Sequence, residues 1–148
     1  MIQHIDVHAL LQESVSAMYA DLVTRPTGRV VRERIERAIA AEGRGDVMIA
    51  RMDFRGVGCI DYSCADEIVA QLLRGRPAVL VLSGLADGHR EAIDSVLTRH
   101  GLAALLERRD GTLETLGAPE AAAALVREVL ARHLAAPTSG GALALTLG

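Results

Sequence analysis

Val47-Met48-Ile49-Ala50-Arg51-Met52-Asp53-Phe54, followed by Arg55-Gly56-Val57-Gly58-Cys59-Ile60 and then Ser63 to Arg74, is the stretch that decides the fold. The first segment is a nearly continuous apolar run and reads as a strand. Its paired glycines then permit a tight bend. After the bend, Ala65, Ile68, Val69, Leu72 and Leu73 fall at i, i+3, i+4, i+7 and i+8, the spacing of an amphipathic helix. Asp66, Glu67, Gln71 and Arg74 take the opposite face. Ser63 is placed to cap the first turn, and Asp66, three residues on, to reach back as in a capping box.

Downstream, Pro77 opens Ala78-Val79-Leu80-Val81-Leu82, an apolar run without polar alternation, as expected of a strand covered on both faces. A helix from Asp87 to about His100 follows, with Ile93, Val96 and Leu97 inward. Leu105 to Leu116 contains Asp110-Gly111, a hairpin signal, and predicts two short strands. Pro119 suits the first turn of a last helix with Leu125, Val126, Val129 and Leu130 as its buried stripe.

Upstream, Val7, Leu11, Val15 and Met18 predict a first helix over residues 7–20, with Asp6 as its cap. Thr24-Arg25-Pro26-Thr27-Gly28 interrupts the pattern, and a second helix runs from Arg29 to Ala41 with Val31, Ile35, Ala38 and Ile39 inward. Strands separated by helices need crossover connections. The expected class is therefore α/β: a mixed or parallel sheet of about four to five strands with helices packed on it, plus an extra N-terminal helix. The domain plan is a helical extension at 1–21, one domain at 22–136 and a flexible tail at 137–148.

The bulk properties narrow the function. The chain has 148 residues, enough for one domain that buries roughly 70% of its unfolded surface. Its formal charge of -3 is dispersed, which disfavours a phosphate backbone as partner, so no nucleic acid is expected. Nothing approaches 18 consecutive apolar residues and the N-terminus lacks a signal pattern, so no membrane role and a cytoplasmic location are expected. Cys59 and Cys64 read as reduced thiols, with no metal site and no cofactor. Ser83, Asp87 and His89 can be drawn as a nucleophile, acid and base, but no nucleophile elbow surrounds Ser83, and the chain reads as a non-enzyme. His100, ahead of Gly101, reads as a favourable charge at a helix C-terminus.

The order Met52-Asp53-Phe54-Arg55-Gly56-Val57 through Asp61-Tyr62-Ser63-Cys64-Ala65-Asp66-Glu67 resembles the signature of STAS domains. It is more similar still to a STAS-like subfamily that pairs a Thr-Arg-Pro-Thr-Gly-Arg loop, here Thr24 to Arg29, with a Ser-x-Ala-Asp-Glu helix start, here Ser63 to Glu67. The resemblance covers about residues 22 to 130. It implies a regulatory adaptor of the anti-sigma factor antagonist kind, docked by a histidine-kinase-like ATPase that phosphorylates a serine at this helix start. In that pattern the phosphoacceptor directly follows the motif aspartate, and here Tyr62 holds that place with Ser63 next. A homodimer is left open.

Two sets of residues follow from this reading. Asp61, Tyr62, Ser63, Asp66, Glu67 and Ser83 are the candidates for partner binding or phosphorylation. Ser63 reads either as a structural cap or as the acceptor of a phosphate, a group of roughly -1.5 to -2 charge that helix amides and the dipole favour and three neighbouring carboxylates oppose. Arg25, Thr27, Gly28 and Arg29 are candidates for anion binding, since a Thr-Gly step flanked by guanidiniums can hold a phosphate or carboxylate. The corresponding alternative function is a small-molecule or nucleotide sensor.

Overall fold

The structure, a computed structural model, describes residues 2–16, 18, 20–42, 48–75, 78–131, 136–137 and 143–144. Five strands form one sheet in the order β1 (Ile2–Asp6), β2 (Met48–Asp53), β3 (Ala78–Ser83), β4 (Ala103–Glu107) and β5 (Leu113–Gly117). The first four are parallel and β5 returns antiparallel to β4. The protein is thus α/β with a mixed, mostly parallel sheet.

Each parallel crossover advances one strand in the same direction, so the right-handed rule stacks their helices on one face. These are α1 (Val7–Ser14), α2 (Arg25–Glu42), the unbroken run of α3 (Tyr62–Ala65), a π-helical turn (Asp66–Ala70) and α4 (Gln71–Gly75), and then α5 (Asp87–Arg99). The β4–β5 hairpin reverses the pattern and sends α6 (Pro119–Ala131) to the other face. Leu80 and Leu82 accordingly join the large core beside Ile68, Ile93 and Leu97, while Val79 and Val81 join a small one with Ile49, Leu105 and Val129. This is why residues 78–82 show no polar alternation.

Several expectations change. The extra N-terminal helix is not confirmed as an extension: Ile2–Asp6 is an edge strand in register with Ile49–Asp53, and α1 stops at Ser14 instead of residue 20 and belongs to the first crossover. Asp6 does cap it, accepting from Ala9 N at 3.1 Å. Helix α2 starts at Arg25 rather than Arg29, because the turn is made by Thr24 at φ +71° and a proline fits the first turn of a helix. The hairpin loop spans residues 108–112 and is longer than two residues; Asp110 Oδ1 accepts from Thr112 N at 2.9 Å and Gly111 adopts φ +84°. In α6 Val129 is buried but Leu130 is 38% exposed. The tail shows only a two-residue pairing of Ala136–Pro137 with Leu143–Ala144; the rest of it lies outside the described residues. Among the described residues no helix is long and apolar enough to cross a membrane.

Candidate functional site: the helix tip and the sheet-end cavity

The helix that begins at Tyr62 is capped by Asp61, not by Ser63. Asp61 is extended, and its Oδ1 accepts from Cys64 N and from the Ser63 hydroxyl, both at 2.8 Å. Its Oδ2 accepts from Thr24 N at 2.9 Å, and Leu22 pairs with Ile60 in a parallel bridge, so one carboxylate ties the start of α2 to the start of α3. Burial alone would raise the Asp61 pKa, but these donors hold it below the ordinary carboxylate value.

Inside the tip lies a closed ionic cluster. Asp66 and Glu67, which the periodicity assigns to a polar face, are only 6% and 5% exposed, because α2 and α5 cover the side of the helix turned away from the sheet. All seven residues from Cys64 to Ala70 are buried. Arg25 Nη1 donates to Asp66 Oδ2 at 2.7 Å and to Glu67 Oε1 at 3.0 Å. Arg32 Nε donates to Glu67 Oε2 at 3.1 Å, and His100 Nε2 lies 2.7 Å from Asp66 Oδ1. Every carboxylate oxygen of the pair thus has a partner, the condition under which buried charge is tolerated. Burial would push Asp66 up, yet Arg25 and His100 keep its pKa lowered.

This arrangement bears on the anion-binding candidates at residues 25–29. The anions that Arg25 holds are Asp66 and Glu67, so its charge is engaged internally. Gly28 is buried; a Cβ there would sit 3.0 Å from Cys64 Cα and 3.2 Å from Glu67 Cβ, so the glycine serves close helix packing. Thr27 Oγ1 accepts from Thr24 Oγ1 at 3.2 Å, and Arg29 projects to solvent. Cys64 is buried, donates to Thr24 O at 2.9 Å, and its thiol is pushed up to about 12 by burial and the nearby Asp61 charge. What the tip leaves accessible is Tyr62, 39% exposed, half-buried Ser63 and exposed Cys59.

Ser83 belongs elsewhere. It ends β3 level with Asp53 of β2, and the alternation of the strand turns its side chain to the α6 side, as for Val79 and Val81. There it lines a cavity of about 640 Å³ at the carboxyl ends of β2, β3 and β4. Ser83 is 6% exposed and its hydroxyl has no hydrogen-bond partner. Arginines dominate the wall: Arg51 clasps Glu107 at 2.8 and 3.1 Å, and Arg55 clasps Asp53 at 2.8 and 2.6 Å. Arg108 and Arg90 share Glu114; the Arg90 contact is 2.6 Å, but the Glu114 oxygen it approaches makes no hydrogen bond of good geometry. The Arg51 pair lowers the Glu107 pKa, and the Arg55 bonds outweigh burial to lower that of Asp53.

Ser83, Asp87 and His89 do not assemble a nucleophile and base. Both His89 ring nitrogens are taken by the backbone: Nδ1 accepts from Ala86 N at 3.1 Å, and Nε2 is bonded to Gly58 O. Among the described residues no cluster suits a metal ion. Arg32, His100 and the arginines of the cavity were not candidates in the sequence reading. Arg32, seven residues after Arg25 and on the same helical face, carried the one signal that could have found it. Comparison with protein-family models, with characterised proteins and with solved structures finds no match for this chain.

Proposed function

We propose that this chain is a regulatory protein-binding adaptor of the STAS-like kind, acting in the cytoplasm without catalysis of its own and docked by a histidine-kinase-like ATPase at the tip of α3. One observation carries this reading: the ionic cluster spends its charges internally and leaves Tyr62 and Ser63 on a backbone fixed from both sides by Asp61. A half-exposed aromatic residue on a rigid helix start suits the anchor of a protein contact, since aromatic anchors on preordered backbone lose little entropy on binding.

The same geometry gives phosphorylation of Ser63 a route to a switch. The Ser63 hydroxyl donates to Asp61 Oδ1, so a phosphate on it would remove that donor and set its negative charge against the carboxylate. Asp61 also holds Thr24, and its displacement would loosen the α2 start from the tip. Self-association has no part in this reading.

The test is equilibrium binding of the full chain to purified histidine-kinase-like ATPases from the same organism. Tyr62→Ala should weaken the complex by about thirtyfold with an unchanged melting temperature, as for a hot-spot anchor. Ser63→Asp should weaken it and Ser63→Ala should not. Unaltered affinity in folded Tyr62→Ala and Ser63→Asp variants, or no binding to any such ATPase, would refute the reading.

A further inference from the structure

The cavity at the end of the sheet goes beyond the docking role, and we propose that it is a binding site for a small phosphorylated molecule of about mononucleotide size. It lies beyond the carboxyl ends of β2, β3 and β4, where loops on a rigid sheet bring side chains from separate strands together. Its volume, about 640 Å³, is that of an ordinary small-molecule site.

The wall has the chemistry of an anion site. Arg51, Arg55, Arg90 and Arg108 share three carboxylates, Glu107, Asp53 and Glu114, and Arg109 forms no ion pair among the described residues. Exposed Asp87 leaves the balance positive. Guanidinium forks match phosphate oxygens two at a time, and Arg90, misaligned on Glu114, has donors to spare.

Two further features aim at the same space. The Ser83 hydroxyl is buried on the cavity wall with no partner, a state that native proteins seldom leave unresolved. Helix α5, of 13 residues, opens at Ala86, which has no side-chain acceptor to offer the first-turn amides, and Ala86 and Asp87 line the cavity. Gly84 makes this juxtaposition possible: at φ +69° it turns the chain directly after Ser83, and a Cβ there would lie 2.6 Å from Arg55 Cγ and 2.7 Å from Asp53 Oδ1. A phosphate seated between the α5 start, Ser83 and the Arg90–Arg109 rim would receive backbone, hydroxyl and guanidinium donors together.

The experiment is a titration of the full chain with AMP, ribose 5-phosphate and inorganic phosphate, followed by amide chemical shifts and by calorimetry. The expected result is saturable shifts at residues 83–90 and 107–109, competition between AMP and inorganic phosphate, and affinity lowered about tenfold or more by Ser83→Val and by Arg109→Ala. Asp87→Asn should tighten binding, and Arg29→Ala, at the other motif, should leave it unchanged. Tighter binding of AMP than of ribose 5-phosphate would assign the rest of the cavity to the base, and equal binding would assign the site to sugar phosphates. Arg109 is on the rim, so its variant stays informative if Ser83→Val fails to fold. Absence of shifts at millimolar ligand, shifts confined to residues 24–29, AMP binding that phosphate does not compete, or affinity indifferent to Arg109→Ala would overturn the proposal.

Discussion

The tip of α3 and the cavity beside Ser83 sit at the same carboxyl edge of one sheet, and both are built from arginines and carboxylates. At the tip, all four oxygens of Asp66 and Glu67 are bonded and two helices bury both carboxylates, while Arg25 keeps one side toward solvent. At the cavity, guanidiniums outnumber carboxylates, a buried hydroxyl is unpaired, and the space between them is open. Charge that is closed on itself shapes the backbone around it; charge left in surplus beside a cavity is available to something else. The difference separates the residues that hold this protein together from those that can meet a ligand.

That contrast can be broken by substitution. Glu67→Ala should cost the most, about 2–3 kcal/mol in urea unfolding at neutral pH, because it removes the buried carboxylate that Arg25 and Arg32 share and leaves its space unfilled, while each arginine keeps a second carboxylate. A loss under about 1 kcal/mol would mean that the cluster contributes no more than a surface ion pair. Acid attacks the same contacts by protonation. Asp66 and Asp61 have lowered pKa values in the folded state, so their stabilisation is complete above the unfolded value of about 4 and is lost as pH falls through the folded values. The urea midpoint should hold steady between neutral pH and about pH 5 as far as these groups are concerned, and drop below about pH 4.

Gly28→Val tests the packing behind the cluster and should cost about 1–3 kcal/mol, since the new side chain meets the Cys64 backbone and Glu67. Asp61→Ala should cost about 1 kcal/mol for the lost cap, with Asp61→Asn closer to the wild type. The smallest effect is expected at the cavity: Ser83→Ala should stay within about 0.5 kcal/mol of the wild type or stabilise, because it removes a buried hydroxyl that has no partner. A large loss at Ser83 together with a small one at Glu67 would invert the assignment of the two regions.

The architecture was legible because it rests on periodicity. The apolar run at residues 78–82 and the helical spacing from Ala65 to Leu73 each admit one reading, and the Asp110-Gly111 signal located the hairpin. The first strand was not legible: Ile2 to Asp6 are five residues of mixed polarity running directly into a helix, and only pairing with β2 makes them a strand. The tip was read in its parts but not in their relation. Asp66 and Glu67 sit on the side that a helix on a sheet would expose, and their burial depends on α2 and α5 packing over them, which no local pattern encodes. The Thr24–Arg29 loop and the Ser63–Glu67 helix start were both singled out, yet what joins them are long-range contacts, from Arg25 to Asp66 and Glu67 and from the Cys64 thiol to Thr24 O. The cavity was illegible because its arginines come from β2, the loop after it, α5 and the hairpin loop, and meet only when the strands are in register.

In the proposed complex the protein partner reads the tip and not the cavity. Backbone hydrogen exchange of the full chain, with and without the histidine-kinase-like ATPase, tests this residue by residue. Added protection is expected over Cys59–Cys64 and Thr24–Thr27, with Gly84–Gly88 unchanged. Protection confined to Gly84–Gly88, with the tip exchanging as in the free chain, would contradict it.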